Sequence, residues 1–478
     1  MAMFCRSGFF FTKNASVLNI LKSTRGSRLS IVPPKRRSFN IWRSLGFRGY
    51  STASSDLAAN SVPKINTEPL KSAFSSKKQP PVVSSKVTGY WLIATSGLIF
   101  GIVVVGGLTR LTESGLSITE WKPVTGSIPP IGEKAWEEEF DKYKNSPEFK
   151  LLNSHITMEE FKFIFSMEWG HRLLGRAIGM FFVLPAVYFW KTKKFSPHVT
   201  RRVVGLTGLL GLQGFIGWWM VQSGLDEEQL AERRSKPTVS QYRLTTHLGA
   251  AFLMYLGVLW TGFEILNESK WVQNLSTKAQ TVTTHLAKLN NPALNPMRKM
   301  SLALLGLTFV TAMSGGMVAG LDAGLIYNTF PHMGEDYLPS YRELMDSVYA
   351  RKEDHSDLWW RNLLENPTTV QLIHRILATT TFFSVLGAHM YVNKRKALMP
   401  ANAKKAMHTM MGLVTFQVAL GISTLIYLVP IPLAAGHQAG ALALLTAALA
   451  FAANLKRPRP QTVNYISSKM KEQLLKKK

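Results

Sequence analysis

The sequence predicts an all-α polytopic membrane protein: eight transmembrane helices forming two pseudo-twofold-related four-helix bundles. Three observations predict it. Eight segments carry the roughly 20 mostly apolar residues that a bilayer core requires; they run over about 89–109, 165–190, 203–222, 243–266, 300–320, 369–392, 406–428 and 432–453. The loops between them alternate between basic and acidic. The last four segments also repeat the motifs of the first four.

The chain opens on residues 1–50, rich in Arg, Ser and Phe, the composition of a mitochondrial transit peptide. Residues 1–55 hold ten Arg or Lys and no acid, and Arg48-Gly49-Tyr50-Ser51 offers a processing region. Cys5, the one cysteine, lies in this leader, so the mature chain is expected to have no disulfide and no thiolate ligand. Residues 51–87, rich in Ser, Pro and Lys, read as a disordered matrix linker. The N-terminal four-helix bundle spans 88–266, an inter-bundle matrix linker 267–299, the C-terminal bundle 300–455 and a basic matrix tail 456–478. That tail holds eight basic residues and one acid. Leader and tail thus carry most of the formal +27. A nucleic-acid partner, which needs a basic face on the folded domain, is excluded.

Basic residues crowd the short loops 191–202 and 393–405, while the long loops 110–164 and 321–367 carry acidic runs such as Glu137-Glu138-Glu139. By the positive-inside bias, eight spans then place both termini on the matrix side. The repeat is detailed. Gly106-Gly107 stands before Gly115-Leu116 as Gly315-Gly316 stands before Gly324-Leu325, with Glu113 matching Asp322. His171-Arg172 matches His374-Arg375, Gln213 four before Gly217 matches Gln417 four before Gly421, and His247 matches His437. Such repeats imply two bundles about an axis along the membrane normal.

Four histidines, His171, His247, His374 and His437, lie inside these spans, all toward the outer face. Ionisable or ligating side chains within a bilayer mark functional sites, and paired histidines on neighbouring helices can hold a haem iron from both sides. Zinc is the competing metal, but a structural zinc wants four converging ligands. His389, fifteen residues after His374, lies about 22 Å further along an ideal helix and cannot share its site. His155, His198, His285, His332, His355 and His408 fall in loops or at span edges and read as solvated.

Glu168 precedes His171 by three residues, so both project from one helix face. Its repeat mate is Gln371, which cannot exchange a proton. Glu168 is therefore either a partner for Arg172 or an acid/base group acting on a bound porphyrin. Arg172 and Arg375 are candidate partners for haem propionates, with Arg110 and Arg176 nearby; the alternative is snorkelling to the interface. Gly106, Gly107, Gly315 and Gly316 are expected to permit close helix packing. Tryptophans 91, 121, 218, 219, 359 and 360 are expected mostly in the interfacial belts.

Together, Glu168-Trp169-Gly170-His171-Arg172, Gly115-Leu116-Ser117 with Glu120-Trp121-Lys122-Pro123, Asn328-Thr329-Phe330-Pro331 and the four histidines resemble the mitochondrial heme A synthase family over roughly residues 88–455. The resemblance implies an inner-membrane oxidoreductase that converts haem O to haem A, the porphyrin of cytochrome c oxidase, by oxidising a ring methyl to a formyl group. It implies that His374 and His437 bind a resident haem b, that His171 and His247 hold haem O, and that Glu168 is catalytic. Expected partners are membrane lipid, a ferredoxin-type electron donor, haem O synthase and a second copy of the chain. Some bacterial members carry a cysteine pair in an outer loop; this chain has none there. Competing readings are a bis-histidine di-haem cytochrome, which has no need of the Glu168/Gln371 asymmetry, and a non-catalytic haem carrier or assembly factor. A transporter fits less well, since no broken helix pair with a polar midplane site is evident.

Overall fold

The structure is a computed structural model that describes residues 80–475. The expected transit peptide and most of the linker after it lie outside the described residues. Apart from one isolated bridge between Met333 and Asp336, every regular element among the described residues is helical. All eight expected spans are present: α1 (Lys86–Leu111), α2 (Met158–Lys191), α3 (Pro197–Leu225), α4 (Gln241–Gln273), α5 (Asn295–Gly320), α6 (Pro367–Lys394), α7 (Ala401–Ile426) and α8 (Ile431–Leu455).

Local signals set the ends. Thr157 and Glu160 form a reciprocal capping box that launches α2. Prolines open α3 and α6 at positions where the missing N–H has no partner to lose. Just past α1 and α5 the chain turns through Glu113 and Asp322, both in the left-handed region at φ 51°. That conformation at a helix C-terminus usually selects Gly or Asn. Two acids at repeat-equivalent corners therefore mark a shared, tightly specified turn.

Contacts repeat between the halves. In the first, α1 packs on α2 and α4, and α3 on α4; in the second, α5 packs on α6 and α8, and α7 on α8. Across the middle, α1 meets α8, α5 meets α4, and α4 meets α8. Half of the most apolar stretch of α4 and of α8 is buried, against 11% for α3 and for α7. So α4 and α8 form the centre, while α3 and α7 turn most of their surface outward. Leu442, Leu445 and Leu449 of α8 pack into the core of the first half with Phe182 and Val258. Leu444, Ala448 and Phe451 on its other side fill the core of the second.

The long loops are folded caps. In the first, helix Glu133–Lys144 sets Phe140 and Tyr143 against Phe161 and Phe165 at the head of α2. In the second, Arg361 bridges Asp357 and Glu365, and the buried Asn362 and Asn366 tie helix Leu358–Glu365 to the preceding turn.

Three expectations need adjusting. The linker assigned to 51–87 is ordered at its end: Ser84 is buried, hydrogen-bonds Ser196 and receives Ser269 on its carbonyl, so its polar groups are used by the bundle. The inter-bundle linker 267–299 is largely helical, because α4 runs on to Gln273 and an amphipathic helix, Ala279–Asn290, follows. Trp91 is buried rather than interfacial; its ring stacks on Phe182 and its N–H donates to the Phe181 carbonyl.

Candidate functional site

Each of the four histidines is seated on a glycine of a neighbouring helix. A Cβ placed on Gly106 would come within 2.9 Å of the Cε1 edge of His171. The distances are 3.0 Å for Gly217 and His247, 3.1 Å for Gly315 and His374, and 2.9 Å for Gly421 and His437. At 2.9 Å a Cβ would force a shift, and at 3.0–3.1 Å the ring would have to give by a few tenths of an ångström, so glycine lets each imidazole edge press against the neighbouring helix. This corrects part of the close-packing expectation: Gly106 and Gly315 are ring seats rather than helix-packing sites. Gly107 and Gly316 do face the other half. Gly107 receives the Gln438 side chain, whose amide donates to the Val103 carbonyl at 2.9 Å. Gly316 receives Leu248 and Thr245. In each half, then, one glycine touches its own histidine and the next touches the residue beside the other half's second histidine.

The rings are further fixed through Nδ1. Gln213 and Gln417 anchor His247 and His437 alike: each amide donates to the histidine's own backbone carbonyl, at 2.9 and 2.7 Å, and stands 3.2 and 3.0 Å from Nδ1. The first histidine of each pair differs. His374 Nδ1 lies 2.8 Å from Ser314 Oγ, which itself donates to the Thr311 carbonyl. The hydroxyl therefore accepts the Nδ1 proton and leaves Nε2 bare. His171 Nδ1 is buried with no hydrogen-bond partner, because the repeat mate of Ser314 is Val105.

The same half differs at the carboxylate. Glu168 is 3% exposed and its two oxygens meet three donors. Oε2 accepts from Ser117 Oγ and the Ile118 N–H, both at 2.8 Å, and Oε1 from Arg172 at 2.6 Å. Gln371, equally buried, occupies the corresponding seat with reversed polarity: its amide donates to the Ala323 and Tyr327 carbonyls at 2.8 and 3.1 Å. Arg172 also donates to the Ile118 and Glu120 carbonyls and lies over Trp121. Arg375 donates to the carbonyls of Tyr327, Thr329 and His332. Both arginines thus clasp the loop above their histidine. Arg176 does likewise on Lys122 and Pro123, while Arg110 pairs with Asp322 of the other half at 2.7 Å.

These donors suit a metalloporphyrin. The rings of His374 and His437 stand 6.5 Å apart, centre to centre, and nearly perpendicular. Two metal–imidazole bonds of about 2 Å, each with roughly 1 Å more to the ring centre, need about 6 Å. Among the described residues no three His, Cys, Asp or Glu converge as a metal site, so structural zinc lacks its ligand set. His389 makes a separate contact, with His408 at 5.0 Å and with Asn393. His198 is not simply solvated, since it meets Glu264 at 3.2 Å. Gly217, Gly421 and Ser314 were not singled out for these roles by sequence. The four-residue spacing from Gln213 to Gly217, and from Gln417 to Gly421, was the available signal, because it puts amide and glycine on one helix face.

The family model described as cytochrome oxidase assembly protein, COX15-CtaA, matches residues 89–449. The chain belongs to that family. It is 67% identical to heme A synthase COX15 of Saccharomyces cerevisiae over 80% of this chain and 78% of the relative. It is 42% identical to heme A synthase COX15 of Homo sapiens over 81% and 87%. A relative from Schizosaccharomyces pombe, 50% identical over 78% of this chain and 60% of its own length, is a heme A synthase-mitochondrial ferredoxin fusion protein. Membership makes the chain a heme A synthase, an enzyme and a multi-pass mitochondrial membrane protein, and the plain di-haem cytochrome is not favoured.

Proposed function

We propose that the chain oxidises the ring methyl of haem O to a formyl group, with the first half as reaction site and the second as a resident redox site. His171 and His247 hold haem O; His374 and His437 hold haem b, which when bound supplies an electron-transfer centre. The observation that carries this division is the unequal support of the repeat-equivalent first ligands. A ligating histidine is normally held by a partner on its other nitrogen, and losing that partner costs about 10–100-fold in metal affinity. His374 has such a partner and His171 has none. A ligand held less firmly suits a porphyrin that arrives as substrate and leaves as product.

Methyl to formyl takes two successive two-electron oxidations, through an alcohol and an aldehyde hydrate that loses water. Each needs an oxidant from outside the chain, such as dioxygen, which gives one oxygen to the carbon while its second leaves as water with two electrons from the donor. Protons must leave the reacting carbon and its oxygens. Glu168 is the buried carboxylate one helical turn from His171, and Oε1 becomes free to take a proton, or to face developing positive charge, if Arg172 swings toward a propionate. Gln371 could do neither. Arg172 and Arg375 hold repeat-equivalent positions in the two halves and would clasp propionates with donors that now hold loop carbonyls. The repeated contacts support a pseudo-twofold axis along the membrane normal. The basic short loops support an inner-membrane orientation with both termini in the matrix, and the fusion of the Schizosaccharomyces pombe relative to a mitochondrial ferredoxin supports a ferredoxin-type donor. Haem O synthase and a second copy of the chain complete the expected partners.

Extraction and chromatography of the porphyrins from purified protein tests the reading. Haem b together with haem O, a hydroxylated form or haem A is expected. Haem b alone, at two per chain, would replace the synthase site with a second resident one.

A further inference from the structure

A cavity of about 260 Å³ opens on the short-loop face, at the end remote from the histidines, between the tails of α4 and α8, the head of α7 and the helix Ala279–Asn290. Its two carboxylates are already answered. Arg459 meets Glu268 at 2.5 Å and Glu264 at 3.4 Å, and Arg202 and Lys456 complete the shell of Glu264. The remaining cations are surplus. Lys270, Lys278 and Arg457 line the same cavity, and none of them forms an ion pair with a described residue; Arg457 only donates to the Asn295 side chain.

Two helices begin at this cavity. Ala401 and Asn402, the first residues of α7, line it, and so does Thr281 in the first turn of Ala279–Asn290. Neither helix has a side-chain cap on its first N–H groups. Unsatisfied N–H groups and the positive end of the helix dipole are suited to anions. The cavity also lies where the spans leave the bilayer, since the apolar part of α4 ends near residue 266 and α8 ends at Leu455. Trp271 stands in its wall, a residue favoured at headgroup depth, and Val282 and Leu289 supply an apolar side.

We propose that this cavity binds a phosphate-bearing anion, presented by an anionic phospholipid, with Lys270, Lys278, Arg457 and the two helix N-termini as its donors. Basic pockets at this depth between spans are suited to such headgroups. The occupant would touch α4, the inter-half helix, α7 and α8 together, and so fasten the two halves on the face away from the chemistry.

The test uses the full chain, purified in detergent, delipidated and titrated with phosphatidylglycerol, phosphatidylcholine or inorganic phosphate, followed by native mass spectrometry and thermal midpoint. Phosphatidylglycerol is expected to stay bound and to raise the midpoint by a few degrees, while phosphatidylcholine does neither. K270Q/K278Q should weaken that binding at least roughly tenfold, since each basic residue near an anionic surface contributes about fivefold. R457Q should weaken it too, and is the second variant should the first fail to fold; unchanged haem absorption is the folding control for both. If millimolar inorganic phosphate reproduces the shift and displaces the lipid, the natural source is a free phosphate ligand; if it does not, the source is lipid. Equal retention of the two phospholipids, or neutral variants that bind like the parent, would overturn the proposal.

Discussion

The pocket of His171 and the pocket of His374 are two solutions to one design, and their differences are few enough to name. Both rings lie on a glycine of the preceding span, both are followed by an arginine that clasps the loop above, and both face a histidine anchored by a glutamine four residues from its own glycine seat. Two differences act directly on the first ligand and the seat beside it: Glu168 against Gln371, and Val105 against Ser314. The second pocket is fully tied, with its first ligand held in the tautomer that frees Nε2. The first is tied at one ligand, left loose at the other, and given a carboxylate. Duplicated scaffolding with local loss of support is how one fold can keep one porphyrin and exchange another.

The largest effect expected from breaking this difference is at Glu168. E168Q should lower haem A formation by at least about 10², the scale of a lost acid/base group, while leaving bound haem b unchanged on extraction. The reciprocal Q371E should leave product formation intact. Normal haem A from E168Q in cells lacking their own enzyme would remove the carboxylate from the mechanism.

Next come the glycine seats. G315V pushes the His374 ring off its neighbour and should cost the resident haem, read as loss of low-spin haem absorption in the purified protein. G106V should spare that signal and abolish retention of haem O and its products. If both variants lost both porphyrins, the two pockets would not be independent, and contact between Gly107 and Gln438 would be the route of coupling.

A smaller effect is expected from exchanging Nδ1 partners. S314A should weaken haem b retention by roughly tenfold. V105S offers His171 the hydroxyl it lacks, and should raise retention of the first-half porphyrin while slowing product release. Both are read by competing an apo-haem acceptor against the purified protein. A first-half porphyrin that exchanges no more slowly in V105S than in S314A would end the argument that support at Nδ1 separates cofactor from substrate.

Much of this was legible in the sequence because long apolar runs, loop charge and a doubled motif are one-dimensional signals. The eight spans, the four histidines and the Glu168/Gln371 difference all follow from them. The glycine seats were not legible as such: a glycine that admits a ring and one that admits a helix look alike until the neighbour is known. Ser314 is one of several hydroxyls in apolar helices, and nothing local tells which one faces an imidazole 60 residues away. The ionic cluster of Glu264 and Glu268 joins residues near 200, 264 and 459, which no periodicity connects. The acidic runs of the long loops say nothing of internal packing, yet these loops fold into caps with cores of their own.

Those caps extend the comparison, and the gentlest prediction comes from them. The second cap is tied by ion pairs around Arg361 and by asparagines, the first by an aromatic cluster that buries an acid. Glu148 is 4% exposed, and its carboxyl accepts from Tyr143, whose hydroxyl accepts in turn from Asn153. Burial pushes its pKa up to about 8 against an ordinary 4.5; the Tyr143 hydrogen bond and Arg110 oppose the rise, while Glu168 and Glu113 add to it. The folded state therefore holds a proton that the unfolded chain releases above about pH 4.5. Stability from this group is complete below that value and is lost as pH rises through about 8, by a few kcal/mol at most. Between pH 5 and pH 8.5 the thermal midpoint should fall for the parent and stay nearly level for E148Q, with the two curves meeting at the acid end. Parallel curves would mean that Glu148 is ionised in the folded cap and that its burial adds no pH dependence to the stability of the first half.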